Sequence, residues 1–452
     1  MKKKTEVRSQ KTALPPAEAA FNSSVWGSQS WLQPAFQPAL RGGCAASQSR
    51  LKSRLQAELP APQPHCATLT GSQRSALWFV AGIMAVIPFA AAAQTVVVGT
   101  GDPDIDIAAV QTAVDRGGAV TLRGRFSFDN PPTRHGTLPD LMATILVSKE
   151  VTISGAWDEH GEMTTIDGGE IPFAVEARGA AVRIEKLRFL RPKLYGIFVA
   201  AVSGLTIESC TIERLEPLPV PGQSTGFRYG FGIYVATLLG LPTPERPGAP
   251  ENISGKLSIL NNQISVSEAA DEGMGIYIES VGDLEKPVEV EISGNTIRNT
   301  TQKGIHVRQI GGRARIERNI VTMNVAYAGP APSYVNGILC ACSGSYLITH
   351  NFISVADPNG AGIRVKGCLA GGATERANIT DNDVFMAAAE GAVLGVASAG
   401  IEIRGLARGT VVQRNRIRGR ARVGLSVAPD KAGSPAGNTF DQNDQEHFAV
   451  KL

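Results

Sequence analysis

One short phrase, Gly-Ile-x-Val or a close variant, recurs through the C-terminal half of the sequence and constrains its fold more than any other feature. Its copies begin at Gly196, Gly232, Gly275, Gly304, Gly337, Gly362, Gly400 and Gly424. A second phrase, aliphatic-x-x-Asn-x-aliphatic, follows most copies, with its asparagine at Asn262, Asn295, Asn319, Asn351, Asn382 and Asn415. Cys210 takes that place in the first copy, and Asn443 takes it in the last.

Such a short unit has room for alternating strands and turns, and a single copy cannot bury its own apolar face. Stacked copies can, with Ile, Val and Leu of successive coils pointing into a shared core. We expect the asparagine to lie at one bend in left-handed backbone, and the glycine to supply the other bend. The gaps lack helical periodicity, which argues against an α/β fold. The sequence therefore predicts an all-β, right-handed parallel β-helix.

The charge balance gives no support for nucleic-acid binding. The chain has 44 Lys and Arg against 41 Asp and Glu, and ten of the basic residues fall before residue 94 with only three of the acids. The remainder is slightly acidic and lacks the basic footprint of a nucleic-acid protein. With 49 Gly and 6% aromatic residues, the composition suits a turn-rich β-solenoid.

The N-terminal part divides into two segments. Residues 1–71 are rich in Pro, Ser, Gln and Ala, and we expect a disordered leader, with a start assigned too far upstream as one explanation. Residues 72–93 contain a basic residue, an unbroken apolar run and an Ala-x-Ala pattern, as in a secretory signal peptide. An uncleaved membrane anchor is the alternative. Cleavage would release a secreted or periplasmic protein with no membrane attachment, expected to be a monomer.

Four cysteines follow the leader. Cys340 is expected in the core, and neither it nor its neighbours have the spacing of a zinc site. Cys342 and Cys368 lie beyond the strand on consecutive coils, so a disulfide between them is compatible with an oxidising compartment.

Residues 94–145 are expected to form an N-terminal cap and the first strands, and residues 146–452 the repeats. Ile107, Val110 and Val114 form an apolar helical stripe that Gly117 and Gly118 end, with Asp104 or Asp106 as the cap. A short helix of this kind would cover the open end of the solenoid.

The stretch Ile107-x-x-Val-Gln-Thr-Ala-Val-Asp-x-Gly-Gly-Ala-Val-Thr-Leu, followed by Val151-Thr-Ile-Ser-Gly and Thr165-Ile-Asp-Gly-Gly, resembles the cap and first coils of the pectate-lyase-like superfamily. With the asparagine-bearing repeats, the chain from about Val96 onward is similar to the right-handed parallel β-helix repeat family. The resemblance implies the fold but not a reaction, because this fold carries lyases, hydrolases, epimerases, tailspikes and adhesins.

The x residue of each phrase should point outward and stack on its neighbours. This row, called here the Tyr277 row, is Phe198, Tyr234, Tyr277, His306, Leu339, Arg364, Glu402 and Ser426. Two positions further on lies the Arg308 row, which is Ala200, Ala236, Glu279, Arg308, Ala341, Lys366, Arg404 and Ala428. Aromatic rings followed by cations suit an anionic polysaccharide, with rings stacked on sugars and cations on carboxylates. The alternative is an ordinary solvated sheet whose opposite charges pair.

Two functions from different classes remain open. A polyuronate lyase or C5-epimerase needs a cation, a base and an acid, and His306, Tyr277 and Arg308 are the catalytic candidates. The candidates for substrate binding are Tyr234, Glu279, Arg364, Lys366, Glu402 and Arg404. A non-catalytic β-helix that binds glycans or surface partners is the alternative. Insertions at 216–226, 237–255, 322–334 and 387–397 are expected to leave one side of the solenoid and to wall a groove.

Three motifs are weak indications of chemistry. Gly362-Ile-Arg-Val-Lys resembles a polygalacturonase phrase, but the paired acids that hydrolysis needs are missing. Trp157-Asp-Glu-His160 resembles a pectate-lyase phrase but falls in an early turn. Asp102, Asp104 and Asp106 have calcium-like spacing without the glycine and distal glutamate of an EF-hand, and helix capping explains them better. No cofactor is therefore expected, with Ca²⁺ as the alternative.

Overall fold

The computed structural model describes residues 94–129, 135–138, 141–219, 226–237, 253–283, 285–327, 335–368, 374–428, 439–441 and 444–445. The chain divides into two compact units, and the smaller, Gln33–Ala91, lies outside the described residues, as do the expected leader and signal peptide. No helix in the described part of the chain is long and apolar enough to span a membrane.

The repeats form a right-handed parallel β-helix in which each coil contributes strands to three parallel ladders. The first ladder contains Leu141–Val147, Ile171–Glu185, Tyr195–Glu208, Arg228–Ala236, Glu272–Val281, Lys303–Ile310, Asn336–Ala341, Ala361–Lys366, Ala399–Arg404 and Val423–Ala428.

The second ladder contains Thr95–Val98, Gly118–Arg123, Val151–Gly155, the later parts of Ile171–Glu185 and Tyr195–Glu208, Gly255–Leu260, Val288–Ser293, Gly312–Glu317, Gly344–Thr349, Thr374–Thr380, Val411–Gln413 and Thr439–Asp441. The third contains Arg125–Ser127, Thr165–Asp167, Arg188–Leu190, Thr211–Glu213, Gln263–Ser265, Thr296–Arg298, Ile320–Met323, Phe352–Val355, Asp383–Ala387, Arg416–Arg420 and Asp444–Gln445. Two short strands, His135–Leu138 and Leu218–Pro219, add antiparallel pairings to the first ladder.

The N-terminal helix Pro103–Arg116 packs its apolar stripe onto the end of the core, since Ile107, Val110 and Val114 are buried in the main cluster. Its N-cap is Asp102, not Asp104 or Asp106, and the Asp102 side chain accepts a hydrogen bond from the Asp104 backbone. Proline at the first helical position requires the cap one residue earlier. The buried Asp106 carboxylate instead accepts hydrogen bonds from Thr100, Gly101 and Ser127.

The glycines of the repeat are needed for close packing, which differs from the bend expected of them. A Cβ on Gly304 would lie 2.2 Å from Val321 Cγ1, and one on Gly362 would lie 2.2 Å from Val384 Cγ1. Neither glycine has a positive φ. Both therefore face inward, against aliphatic side chains of the third ladder, and only glycine fits there.

The repeat asparagines form one continuous line, as predicted. The Nδ2 of Asn319 donates to Asn351 Oδ1 at 3.0 Å and to the carbonyl oxygens of Ile292 and Glu317, while its Oδ1 accepts from Asn295. The left-handed backbone falls one residue earlier than expected, at Arg318 rather than at Asn319, and the other coils repeat this offset. The asparagine completes the corner by hydrogen bonding, and its predecessor makes the turn.

The described parts of the insertions leave from two corners, which corrects the expectation of a single side. Residues 214–227, 324–335 and 388–398 connect the third ladder to the first, whereas 237–254 connects the first to the second. Cys342 and Cys368 form a disulfide with an S–S distance of 2.08 Å. Cys340 is free and buried in the core, as predicted.

Candidate functional site

The two predicted rows lie on the outer face of the first ladder in the expected register. Tyr234 pairs with Tyr277, Tyr277 with His306, and His306 with Leu339. The register continues through Arg364, Glu402 and Ser426, and the Arg308 row runs beside it. All nine candidate residues therefore share one face of one sheet.

This face is covered over most of the Tyr277 row, so the alternative of an ordinary solvated sheet is wrong there, and only Leu339 and Ser426 of the row are half-buried. Tyr277 is 2% exposed and His306 4% exposed, and Arg364 and Glu402 are also buried. A second apolar cluster forms outside the coil, where Leu194, Leu218 and Phe227 from the corner segments pack against the aromatic residues of the face. The cations of the Arg308 row, Arg308, Lys366 and Arg404, are half-buried and lie closer to solvent.

The aromatic side chains stack on one another. The rings of Tyr234 and Tyr277 are 5.0 Å apart at 13°, and those of Tyr277 and His306 are 4.5 Å apart at 3°. Both faces of the Tyr277 ring are thus occupied, so this ring has no face free for a sugar. The stack instead holds His306 in a fixed orientation.

A hydrogen-bonded chain joins the two rows. The Tyr277 hydroxyl donates to Glu279 Oε2 at 2.5 Å, and Glu279 Oε1 lies 3.1 Å from Arg308 Nη1. Burial, followed by the Glu279 charge, raises the pKa of Tyr277 well above its ordinary value, so the phenol remains protonated. The Arg308 side chain is 27% exposed and places a fixed cation at the edge of the covered region.

His306 is a buried neutral imidazole beside cations. Burial, then the Lys303 and Arg308 charges, hold the pKa of His306 well below its ordinary value. Among the described residues, its buried Nδ1 has no hydrogen-bond partner. In the tautomer that carries its proton on Nε2, Nδ1 is an uncharged, unpaired acceptor and can take a proton from a bound molecule.

The C-terminal part of the face contains an internal ion pair. Arg364 and Glu402 are bonded to each other and almost fully buried, and Arg364 also donates to the Ala397 carbonyl at 3.2 Å. Arg404 Nη1 lies 3.8 Å from Glu402 Oε1, and the Arg404 side chain is 20% exposed. Lys366 pairs with Arg404 in register and is half-buried. Arg364 and Glu402 thus lie inside the covered face as a pair, while Lys366 and Arg404 reach its surface.

A third outward row was missed by the sequence analysis. It contains the residue before each repeat glycine, namely Tyr195, Phe231, Met274, Lys303, Asn336, Ala361, Ala399 and Val423. Strict alternation from the inward isoleucine would turn this residue inward. Because the glycine and the isoleucine both face inward, the alternation slips and the preceding residue faces out. A lysine at a mostly apolar repeat position was the available signal.

Lys303 is the charged member of this third row. It is 5% exposed, and its Nζ donates to Gln302 Oε1. Burial, opposed by the Glu272 charge and assisted by Arg364 and Arg308, lowers the pKa of Lys303 to about 8. Lys303 thus lies in the same charged environment as His306 and Arg308.

Of the three weak motifs, Gly362-Ile-Arg-Val-Lys lies on this face, where Arg364 pairs with Glu402, and the other two lie in the N-terminal cap and first coils. Trp157 is exposed in a turn and bridges to Met163, far along the chain from the site. Asp102 caps the helix, Asp106 accepts hydrogen bonds from Thr100, Gly101 and Ser127, and the described residues contain no cluster of three or more metal-binding side chains.

No protein-family model matches the chain, and no curated protein sequence does. Several solved structures share its fold. The A-module of the mannuronan C-5 epimerase AlgE4 from Azotobacter vinelandii is 14% identical over 78% of this chain and 98% of that one, with a TM-score of 0.38. The periplasmic alginate epimerase AlgG is 11% identical over 72% of this chain and 84% of that one, with a TM-score of 0.33. A DFA-IIIase from Arthrobacter chlorophenolicus is 13% identical over 74% of this chain and 84% of that one, with a TM-score of 0.31. These proteins are right-handed parallel β-helices, and the likeness concerns architecture alone.

Proposed function

We propose that this protein processes an acidic polysaccharide on the outer face of its first ladder, by removing the C5 proton of a hexuronate unit. The observation that carries the proposal is His306, a buried neutral imidazole with an unpaired Nδ1, two residues from the partly exposed cation Arg308. A lyase and a C5-epimerase share this first step.

Each residue has a role in this chemistry. Arg308 would meet the substrate carboxylate, and neutralising that charge acidifies the adjacent C5–H. His306 would take the proton, since a neutral imidazole is a competent acceptor. Tyr277 and Glu279 would hold Arg308 and His306 in position through their stacking and hydrogen bond.

Lys366 and Arg404 would extend the binding surface along the sugar chain. They lie on the two coils that follow Ala341 in the Arg308 row. Consecutive coils are about 4.8 Å apart, close to the length of one sugar unit, so successive carboxylates can meet successive cations.

Export of the protein accompanies this proposal. The Cys342–Cys368 disulfide is typical of oxidising compartments, which supports a periplasmic or secreted location. Polysaccharides of this class are extracellular or periplasmic substrates. Sequencing the N-terminus of the exported protein tests it, and a mature chain retaining residues 1–71 would contradict it.

The experiment for the reaction uses sodium alginate, polygalacturonate and glucuronan in D₂O. Elimination produces an unsaturated uronate with strong ultraviolet absorbance, and epimerisation produces deuterium at an inverted C5, which proton NMR detects. Either signal on one of the three polymers supports the proposal. Absence of both signals on all three overturns it.

A second candidate is binding of an anionic glycan without catalysis. The exposed edges of Arg308, Lys366 and Arg404 favour it, because they form a cationic strip on the least covered part of the face. Binding by calorimetry without either reaction signal would select this candidate.

A further inference from the structure

Lys303 and His306 face the same side of one strand although three positions separate them. In a regular strand, residues i and i+3 point to opposite faces. Here Gly304 and Ile305 both face inward, since a Cβ on Gly304 would meet Val321 and Ile305 is buried in the main core. The irregularity turns Lys303 outward, into the row that contains Met274 and Asn336.

The charges that face Lys303 come from several coils. Glu272 lies on the preceding coil, Arg308 on the same strand and Arg364 two coils further on. His306 lies close enough for the Lys303 charge to influence its titration. The ammonium group donates a hydrogen bond to the neutral amide of Gln302. The ammonium group is thus buried against a neutral partner. It has no role in the coil core, which is aliphatic and lies on the other side of the strand.

We propose that Lys303 is a catalytic residue, the proton donor that works with His306 in the reaction on the hexuronate; this inference rests on the proposed function. In elimination, His306 takes the C5 proton, and the C5–H electron pair forms the C4–C5 double bond. The C4–O bond breaks, and the leaving oxygen receives a proton from the Lys303 ammonium. In epimerisation, the same ammonium protonates C5 from the opposite face. In both reactions His306 gains one proton, Lys303 loses one, and exchange with water restores both.

The chemistry of a buried lysine suits this role. A pKa of about 8 keeps Lys303 largely protonated at neutral pH while making its proton easier to release than that of an exposed lysine. Neutral His306 and protonated Lys303 are thus a matched base and acid at the same pH.

The test separates the two proton transfers in the full chain. Lys303→Met and Lys303→Arg are compared with wild type, His306→Gln and the exposed-lysine control Lys149→Met, on alginate, polygalacturonate and glucuronan in D₂O. Arginine keeps the positive charge but does not release its proton, so the Lys303→Arg variant distinguishes a proton donor from a charge. Circular dichroism and the melting temperature check that each variant folds.

We expect both Lys303 variants to lose product formation, as elimination or inversion, by about 100-fold or more. Deuterium exchange at C5 with retained configuration should persist in them, because His306 still removes the proton, whereas His306→Gln should lose exchange as well. A Lys303→Arg variant with wild-type product formation overturns the inference, as does a parallel loss of exchange and product in a folded Lys303→Arg variant. A wild-type protein inactive on all three polymers overturns the proposed function itself, and this inference with it.

Discussion

The imidazole of His306 lies flat against the ring of Tyr277, with centroids 4.5 Å apart and planes 3° from parallel. The contact joins two consecutive coils, and it buries an ionisable ring beside the Lys303 and Arg308 cations. Burial and the neighbouring cations both disfavour the imidazolium, so this contact has a measurable consequence for stability.

Stability should fall as the pH falls through about 6.5, in part because of His306. The unfolded chain binds a proton at His306 in this range and the folded chain does not, so acid favours unfolding. One such group changes the free energy of unfolding by about 1.4 kcal/mol per pH unit. Between pH 7.5 and 5.5, the free energy of unfolding measured with urea should fall less for His306→Gln than for wild type. The exposed-residue variant His160→Gln should behave as wild type, and an equal loss in all three would contradict a buried neutral His306.

The core of the coil can be tested with two isoleucines from neighbouring strands. Ile316 is fully buried, whereas Ile320 is 46% exposed. Ile316→Ala should lower the free energy of unfolding by about 2–5 kcal/mol, since it removes buried methyl groups and leaves a cavity. Ile320→Ala makes the same chemical change at the surface and should cost about 1 kcal/mol or less. Equal losses in denaturant unfolding would contradict the inward assignment.

The asparagine line should be a main source of stability at the corner between the second and third ladders. Asn319→Ala removes a side chain that bonds to Asn295, Asn351 and two carbonyl oxygens, and it leaves buried polar groups unpaired. Each unpaired group costs about 1–3 kcal/mol, so we expect a loss of about 3 kcal/mol or more in urea unfolding. Gln263→Ala, at an exposed strand position, is the control and should be nearly neutral. A neutral Asn319→Ala would show that the backbone alone holds the corner.

Binding of an anionic glycan should depend on the surface cations rather than on the buried pair. Lys366→Ala with Arg404→Ala should weaken the affinity for a polyuronate by about tenfold or more, and added salt should weaken wild-type binding. Arg376→Ala removes an exposed cation from the outer face of the second ladder and should leave affinity unchanged. Calorimetry measures the affinity of each variant and the effect of salt on the wild type. Equal affinities for the double variant and Arg376→Ala would show that Lys366 and Arg404 are not part of the binding surface.

The repeat predicted the coil, the inward isoleucines and the neighbours in each outward row. These follow from two-residue alternation and from stacking, which act at every copy: Ile292, Ile316, Ile348 and Ile379 are all fully buried. Local rules also predicted the helix stripe and its glycine end.

Other features depend on contacts between coils. The inward glycine at Gly304 is needed because Val321 of the third ladder approaches it, and with Gly304 and Ile305 both facing inward, Lys303 faces outward. The apolar cluster outside the coil, to which Tyr277 belongs, includes Leu194 and is packed by Leu218 and Phe227, all from corner segments distant in sequence. Alternation within one strand carries no information about either.

The most direct test of a proton acceptor at His306 is deuterium incorporation at C5 of a polyuronate in D₂O, measured by proton NMR. Wild-type protein should exchange the C5 proton, and His306→Gln should lower the exchange rate by about 100-fold or more. The control Ser426→Ala changes the same outward row four coils further on and should exchange at the wild-type rate. A folded His306→Gln variant that exchanges as fast as wild type would contradict the proposed role of His306 and the site built around it.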